Sequence, residues 1–555
     1  MQRVEDWLWG DQEVAVTGLD PIGEDPERRG RIPSAPRPIK VEFVINRVTS
    51  GVVRSSLAMA EGGRPQARLR SRGSWWRRIL VEPARPRWIA SQPNARWYAV
   101  ATVCVGAFMG QLDASIVIVA LPSVGGAFHS PLGAVVWVGL AYLLTLVALV
   151  TAVGRLADMI GHKLLYTYGF VVFVVGSALC GLAPTLVSLD GFRVLQGIGA
   201  AMLQANSVAI IALAMPPEKI GRAMGIQGAA QGLGLAMGPA VGGLLIAAGG
   251  WRLIFYANVP VGIVATALAW FLIPRSRDLQ ERVGFDWLGL LLFVPAVAGL
   301  LYAVTFLGDQ GGQVPAGILG LLAGCVVLGV AFVLWERRSK APLVDLRLFR
   351  RGAFSVGVSS GLLAYLVMFG SLYLVTYYLR YGPAQLSSAA IGLQLTVMPV
   401  AFGVTAPLAG RAADRLGARP LTVAGMLACA ASLALLGLSR PVGAALLLPL
   451  AALGVGLGLF TPPNNAGIMG AAPRTDAGVA SGILNMTRGM GASMGQAFVA
   501  LVLGLAAGSL RLPSQVAGGF GVSAVLLAAV ALLAGGLAAL RSGEPLEVRA
   551  PLRQE

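Results

Sequence analysis

Two charged side chains, Asp113 and Arg193, stand inside long apolar runs of this 555-residue sequence. A carboxylate within a membrane-spanning segment is costly and usually faces a cavity or a partner. Counted from the ends of their runs at about 1.5 Å per residue, the two lie roughly 12 Å and 9 Å deep, so they can share a depth. Burial favours the neutral carboxyl group, whereas a nearby guanidinium favours the ionised one. The pair therefore suits proton chemistry, with Asp113 as the proton carrier, Arg193 modulating its affinity and Gln196, one turn away, orienting Arg193. A static buried ion pair is the alternative.

A ten-residue polar cassette occurs twice, at 154–163 and at 410–419, an offset of 256 residues. Its aspartate can accept hydrogen bonds from a helix N-terminus or pair with a basic side chain, and its glycines allow a tight turn. We expect both copies to lie in loops and to act as latches of a gate, with a turn flanked by positive anchoring charges as the alternative. The predicted gating residues are Gly154, Arg155, Asp158, Gly161, Lys163, Gly410, Arg411, Asp414 and Gly417.

A second repeat joins residues 221–240 to residues 478–497, at an offset of 257, with nine identical positions in twenty. Such duplication is typical of transporters whose two halves rock about a central site. Arg488 aligns with Gln231 in this repeat, so both polar groups are expected to face a central cavity. An arginine there either binds an anionic headgroup or satisfies backbone carbonyls. The candidate cavity residues, each of which can instead be a structural hydrogen bonder, are Gln204, Asn206, Gln227, Gln231, Asn464 and Arg488, together with Asn465.

The elements that position these residues are long apolar helices. Hydrophobic residues make up 56% of the chain, charged residues 12%, and the mean hydropathy is +0.72. Fourteen runs of roughly 18–25 apolar residues are each long enough to cross a bilayer. We predict an all-α membrane protein with two pseudo-symmetric six-helix bundles and an inserted two-helix hairpin. The predicted divisions are a basic, disordered cytoplasmic extension at 1–97, a bundle at 98–273, a linker with the hairpin at 274–353, a bundle at 354–540 and a cytoplasmic tail at 541–555.

Charge sets the orientation and excludes several functions. Placing both termini in the cytoplasm puts 20 Lys and Arg residues on inner loops and the C-terminal tail and four on outer loops, as the positive-inside rule requires. The net charge of +17 therefore belongs to the cytoplasmic membrane surface, and no nucleic-acid partner is expected. The four cysteines show no metal-ligand spacing, and no hydrolytic constellation or nucleotide-binding loop occurs. We expect no enzymatic activity, no metal and no cofactor.

Five segments in order carry a family resemblance. The chain resembles the fourteen-helix drug:proton antiporters of the major facilitator superfamily, the multidrug efflux type. The resemblance assigns proton coupling to Asp113 and Arg193, and it implies an antiporter motif that bends its helix and helps to seal the outer side. Met159 and His162 depart from the family's usual basic residues. The segments are 112–122, 154–163, 193–199, 238–243 and 251–260, and the antiporter motif is Gly238, Pro239, Gly242 and Gly243.

These features predict a multi-pass, monomeric exporter in the cell membrane, driven by the proton gradient and working by alternating access. Its partners would be protons, the lipid bilayer and small lipophilic or amphipathic molecules, drugs among them. An exporter of a specific lipid or secreted metabolite, and a transport-inactive membrane sensor, are the alternatives. Position 369, which matches Asp113 at the 256-residue offset, is Phe369, so the proton chemistry is predicted in the first half alone.

Overall fold

The computed structural model describes residues 82, 84–276, 286–309, 315–339, 342–472, 477–507 and 512–540. All of them belong to one compact unit spanning residues 74–555. Within these ranges every regular element is a helix, and fourteen helices are long and apolar enough to cross a membrane. The predicted all-α architecture with fourteen spans is confirmed.

The fourteen spanning helices follow the predicted runs, with ends that differ from the predicted ones by up to eight residues. They are α1 (Ala95–Phe128), α2 (Trp137–Ile160), α3 (His162–Leu182), α4 (Leu186–Ala214), α5 (Pro217–Gly249), α6 (Asn258–Leu272), α7 (Trp287–Asp309), α8 (Ala316–Glu336), α9 (Gly352–Tyr381), α10 (Ser388–Leu416), α11 (Ala418–Ser439), α12 (Leu447–Ala471), α13 (Ala477–Ala507) and α14 (Pro513–Ala539). The short helices Leu132–Val135 and Arg252–Tyr256 lead into α2 and α6.

Helices α1–α6 and α9–α14 form the two bundles, and α7 and α8 form the hairpin between them in sequence. Each helix of the hairpin is largely exposed, as expected of a peripheral element in contact with lipid. Helix α7 reaches the second bundle through Gly308, where an added methyl group would lie 2.9 Å from the Cα atom of Leu501 in α13. Small residues thus permit close helix approach here, as is usual in membrane bundles.

The two polar cassettes differ from the predicted loops. Residues 154–160 form the last turns of α2, and residues 410–416 form the last turns of α10. Only Gly161 and Gly417 make the turn, with φ angles of 114° and 81° that favour glycine. Each cassette is therefore a helix end followed by one turn residue. We call this side of the molecule the cassette end.

The two bundles meet along two seams: α2 packs against α13, with Gly482 close to Thr151, and α5 packs against α10 at the side opposite the cassette end. There, Gly243 of α5 packs against Ser388 and Gly392 of α10, and Tyr381 donates a hydrogen bond to the carbonyl oxygen of Pro122 at 3.2 Å. Toward the cassette end the same two helices separate. A methyl group placed at any of four glycines there would have no described atom within 4 Å: Gly225, Gly228, Gly403 and Gly410. The seam between α5 and α10 is thus closed at one end and open at the other.

Candidate proton-coupling site and central cavity

Asp113 is completely buried in α1 and accepts three hydrogen bonds from neighbouring helices. One Nη atom of Arg193 lies 2.6 Å from its Oδ2 atom, forming an ion pair. The side-chain amides of Gln196 and Asn258 donate to its Oδ1 atom at 2.8 Å and 3.0 Å. The structure brings together the three residues that the sequence singled out, Asp113, Arg193 and Gln196, because α1 and α4 present them at one depth.

Arg193 is 1% exposed and held on several sides. Its Nε–H donates to the carbonyl oxygen of Val138 at 2.8 Å, and Nη1 also donates to Gln196 Oε1 at 2.6 Å. The aromatic ring of Tyr142 lies against the guanidinium, with 4.2 Å between the guanidinium carbon and the ring centroid. Hydrogen bonds and a cation–π contact therefore compensate the removal of this charge from water.

Asn258 and Ser177 complete the network, and neither had been assigned a role from sequence. Asn258 donates to Ser177 Oγ at 3.2 Å, Gln196 donates to the same oxygen at 3.1 Å, and Ser177 donates to the carbonyl oxygen of Phe255 at 3.1 Å. Ser177 lies in α3 and Asn258 begins α6, so four helices of the first bundle share one polar layer around Asp113. The only sequence signal was Asn258's place in the segment 251–260 that resembles the family.

The glycines of α5 fix the part of α1 that carries Asp113. Gly238 lies against Ser115, and a methyl group at Gly242 would lie 2.6 Å from the Cγ1 atom of Ile116. On the neighbouring face of α5, Pro239 and Gly243 contact Gly392 of the second bundle. The predicted antiporter motif therefore touches both the helix that carries Asp113 and the seam between the bundles.

A narrow polar cavity lies beside the ion pair. Tyr142 separates the two, because one face of its ring contacts Arg193 and the side chain also lines the cavity. Gln204 and Gln231, both predicted cavity residues, contribute to its wall. The other lining residues are Gly106, Ala107, Gly110, Gln111, Ala200, Leu203 and Ser207. The wall of this narrow cavity thus combines apolar side chains with a few amide and hydroxyl groups.

Arg488 of α13 reaches across from the second bundle to this cavity. It donates to Gln231 Oε1 at 3.2 Å and to the phenolic oxygen of Tyr365 in α9 at 3.3 Å. Asn465 of α12 donates to the same phenolic oxygen at 3.3 Å. We call these four residues, Gln231, Tyr365, Asn465 and Arg488, the Arg488 cluster. Four helices from both bundles contribute one side chain each.

Three other predicted cavity residues have different partners. Asn206 is hydrogen-bonded to the ring of His162 at 2.8 Å, close to the first cassette. Asn464 donates to the carbonyl oxygen of Gly357 at 3.0 Å and joins α12 to α9. Gln227 donates to Ser207 Oγ at 2.9 Å, which places it next to the cavity wall. The polar side chain that α12 presents to the Arg488 cluster is Asn465, one position after Asn464.

The carboxylate of Glu82, which precedes α1 in sequence, lies next to Gly161, the turn residue of the first cassette. Glu82 accepts hydrogen bonds from the backbone N–H of Leu164 at 3.2 Å and from the backbone N–H of Ser276 at 2.7 Å. Ser276 Oγ accepts from the N–H of His162 at 2.9 Å. These contacts satisfy N–H groups in the first turn of α3, where a negative charge is also favoured by the helix dipole. Glu82, expected in the disordered extension, is therefore hydrogen-bonded to the first bundle, and α1 begins at Ala95, inside the predicted extension.

The gating prediction for the cassettes is only partly covered by the structure. Gly154, Gly161, Gly410, Gly417 and the buried Lys163 lie at or next to the two helix ends, and Arg411 is exposed on α10. The side chains of Arg155, Asp158 and Asp414 lie outside the part of the chain that is described. The latch role of the two aspartates remains a prediction.

Known proteins share this architecture. The profile of the Major Facilitator Superfamily matches residues 103–384 and 353–553. The chain belongs to the major facilitator superfamily. It is 32% identical over 406 residues to the riboflavin transporter RibZ of Clostridioides difficile, covering 73% of this chain and 87% of the relative. It is 35% identical over 401 residues to the multidrug resistance protein Stp of Mycobacterium tuberculosis, covering 72% and 74%.

A solved structure supports the same fold. The bacterial homologue of the human lysosomal transporter Spinster, in an inward-facing, unoccupied conformation, has a TM-score of 0.61 and 16% sequence identity, and the match covers 81% of this chain and 98% of that one. The protein is accordingly a multi-pass membrane transporter and not an enzyme.

Proposed function

We propose that this transporter exports amphipathic or lipophilic small molecules, drugs among them, in exchange for protons that enter the cell. The observation that carries the proposal is the buried pair of Asp113 and Arg193, held by Gln196 and Asn258 beside the central cavity. An intramembrane carboxylate is costly to maintain and marks proton relays in pumps and transporters. A transport-inactive sensor would have no need for it.

In the proposed cycle, protonation of Asp113 cancels its charge and weakens its hold on Arg193. The guanidinium then relies on Val138 and Gln196, and its contact with Tyr142 links this change to the cavity wall. Proton release restores the ion pair. One elementary charge that crosses 100 mV gains about 2.3 kcal/mol, which can sustain roughly a fiftyfold concentration ratio of substrate.

The resemblance to drug:proton antiporters supports export as the direction of transport, and the charge distribution sets the orientation of the helices in the membrane. With the cassette end in the cytoplasm, as the positive-inside rule favours, the open seam between α5 and α10 faces the cell interior. Substrate then enters from the cytoplasm or the inner leaflet, and the closed end must open to release it outside. Both termini are cytoplasmic in this orientation, and the exporter acts as a monomer without a bound cofactor.

Proton coupling can be tested in everted membrane vesicles with a panel of dyes and drugs. The Asp113→Asn variant keeps the size of the side chain and loses its charge, so we expect normal expression and no pH-gradient-dependent export. Export by D113N that still follows the pH gradient would contradict the proposal. Substrate-induced proton release from acidified vesicles should likewise disappear in D113N and would be absent altogether from a transport-inactive sensor.

Asp345 provides a matched control for the loss of one carboxylate. It lies in the segment before α9, and its hydrogen bonds from Arg347 lower its pKa below the ordinary value, so it is ionised at neutral pH. The D345N variant therefore removes a comparable negative charge without touching the spanning helices. It should keep wild-type export and proton release.

Export of one specific metabolite is the second candidate. The similarity to a riboflavin transporter favours it, since that relative is matched over 87% of its length. Riboflavin and structurally unrelated dyes should be compared in the same vesicles. Export of a single compound that no member of the dye and drug panel inhibits would favour the metabolite exporter over the broad-range exporter.

A further inference from the structure

The Arg488 cluster contains many more hydrogen-bond donors than acceptors. Arg488 uses Nε and Nη1 toward Tyr365 and Gln231, and no other hydrogen bond of its guanidinium occurs within the described residues. Tyr365 accepts from both Arg488 and Asn465, which leaves its own O–H proton for a further acceptor. A guanidinium carries several unused N–H donors in a planar fork that matches carboxylate or phosphate oxygens.

The two ends of the Asn465 amide can be exchanged without changing this conclusion. As placed, its Nδ2 atom donates to Tyr365, and its Oδ1 atom is buried with no hydrogen-bond partner among the described atoms. In the exchanged orientation the oxygen would accept the Tyr365 proton, and an N–H donor would be left over instead. In both cases the N–H donors of Arg488 beyond those bonded to Tyr365 and Gln231 stay unused among the described residues.

Among the described residues, Arg488 has no carboxylate partner. The side chain is half-buried between the bundles, and it takes part in neither the ion pair of Arg193 with Asp113 nor that of Arg347 with Asp345. The other intramembrane arginine of the site, Arg193, has its carboxylate. A partly desolvated cation held only by neutral groups favours an anion that arrives from outside the protein.

We infer that the Arg488 cluster binds the anionic group, a carboxylate or a phosphate, of an amphipathic transported molecule. This inference rests on the proposed function, because it makes the cavity the transport route. The apolar part of the molecule would lie along the wall formed by Ala107, Ala200 and Leu203. Because Gln231 belongs to one bundle and Arg488 to the other, an anion that replaces Gln231 as acceptor also removes a contact between the bundles.

The inference can be tested by binding to the purified full-length protein in lipid nanodiscs, with no proton gradient. The probes are dansyl-aminoundecanoic acid and its uncharged methyl ester, followed by dansyl fluorescence. We expect the wild type to bind the acid about tenfold or more tightly than the ester, the usual size of a charge-assisted hydrogen-bond contribution. In R488Q the two probes should bind equally, while R488K keeps part of the preference because it retains a point charge.

Two further variants provide a control for the loss of an arginine and a second test of the cluster. R380Q removes an exposed arginine from the outer end of α9 and should bind like the wild type. Y365F keeps the ring and removes one donor, so it should lower the preference about threefold even if R488Q folds poorly. A wild type that shows no preference for the acid, or an R488Q variant that keeps it, overturns the inference.

Competition distinguishes the possible sources of the anion. Displacement of the probe by undecanoic acid indicates a free carboxylate substrate, and displacement by lysophosphatidic acid indicates a lipid phosphate. Displacement by the methyl ester alone overturns the inference. The D113N variant separates the two hypotheses: whatever its affinity for the two probes, it should keep the preference for the acid over the ester, so a failure of proton-coupled export leaves this preference to decide on Arg488.

Discussion

Arg488 donates a hydrogen bond to Gln231, the residue that occupies its own position in the internal repeat 257 residues earlier. Helices α5 and α13, which carry them, are therefore related by the duplication and touch across the pseudo-symmetry axis. A contact between two equivalent positions lies close to that axis. It is well placed to sense any rocking of one bundle against the other.

The energetic link between Arg488 and Gln231 can be measured with a double-mutant cycle. We expect Q231L and R488Q to show a coupling of about 0.5–3 kcal/mol in binding of the anionic probe, because both remove the same contact. Q111L is the matched control, since Gln111 lines the cavity without a hydrogen bond to Arg488. Additive effects for the Gln231 pair, equal to those for the Gln111 pair, would contradict the coupling.

Removing Asn258 should weaken proton-driven export. Asn258 donates to Asp113 Oδ1 and helps to hold this side chain in the polar layer. N258A removes this hydrogen bond, so pH-gradient-dependent export should fall about tenfold, as expected for the loss of about 1.4 kcal/mol. Initial export rates in everted vesicles check this. N464A, which removes an amide from the α9–α12 contact, should leave the rate unchanged.

The close approach of α5 and α10 should be necessary for the closed end to form. A leucine at Gly392 would overlap the backbone of Pro239 and Gly243. Overpacking of this kind costs about 1–3 kcal/mol, which shifts a two-state population by about five- to 150-fold toward the state in which this end is open. G392L should stop export at normal expression.

Cysteine labelling reports the population shift in the Gly392 variant. A cysteine at Gly403, near the open end of the seam, should react with a maleimide more slowly when G392L is present. G324L, on the peripheral helix α8 with no described atom near the added side chain, should neither slow labelling nor stop export. Unchanged labelling and export in G392L would show that the packing is not required.

Glu82 should stabilise the first bundle although it precedes α1 in sequence. E82A leaves the N–H groups of Leu164 and Ser276 without their acceptor, at a cost of about 1–3 kcal/mol for each buried group. Thermal unfolding of the purified protein, followed by tryptophan fluorescence, should begin at a lower temperature in E82A than in the wild type. R87A, at an exposed position five residues on, should unfold like the wild type.

Apolar length alone was enough to predict the fourteen helices, because a bilayer admits few alternatives for segments of that kind. The depth of Asp113 and Arg193 could also be counted from the run ends. The partners Asn258 and Ser177 could not, since their contact with Asp113 depends on how α3 and α6 rotate about their axes. Other polar residues occur within apolar runs of this chain, so residue type alone does not single out Asn258 and Ser177.

Which of two adjacent polar residues faces the cavity is hard to predict from sequence for a similar reason. Asn464 and Asn465 are adjacent, and a rotation of about 100° per residue decides which one faces the cavity and which one bonds α9. Proline residues at 462 and 463 distort the helix just before them, so an ideal helix predicts the facing poorly. Glu82 was missed because its partners lie 82 and 194 residues away and its own surroundings in sequence are polar.

The acid, arginine and amides around Asp113 all come from the first half of the chain, whereas three of the four members of the Arg488 cluster come from the second. On the proposed function, proton coupling thus depends on the first half alone, whereas the anionic group of the transported molecule is bound mainly by the second. Recombination that exchanges the second half with that of a relative is then expected to leave the coupling residues intact and to change which charged groups are recognised.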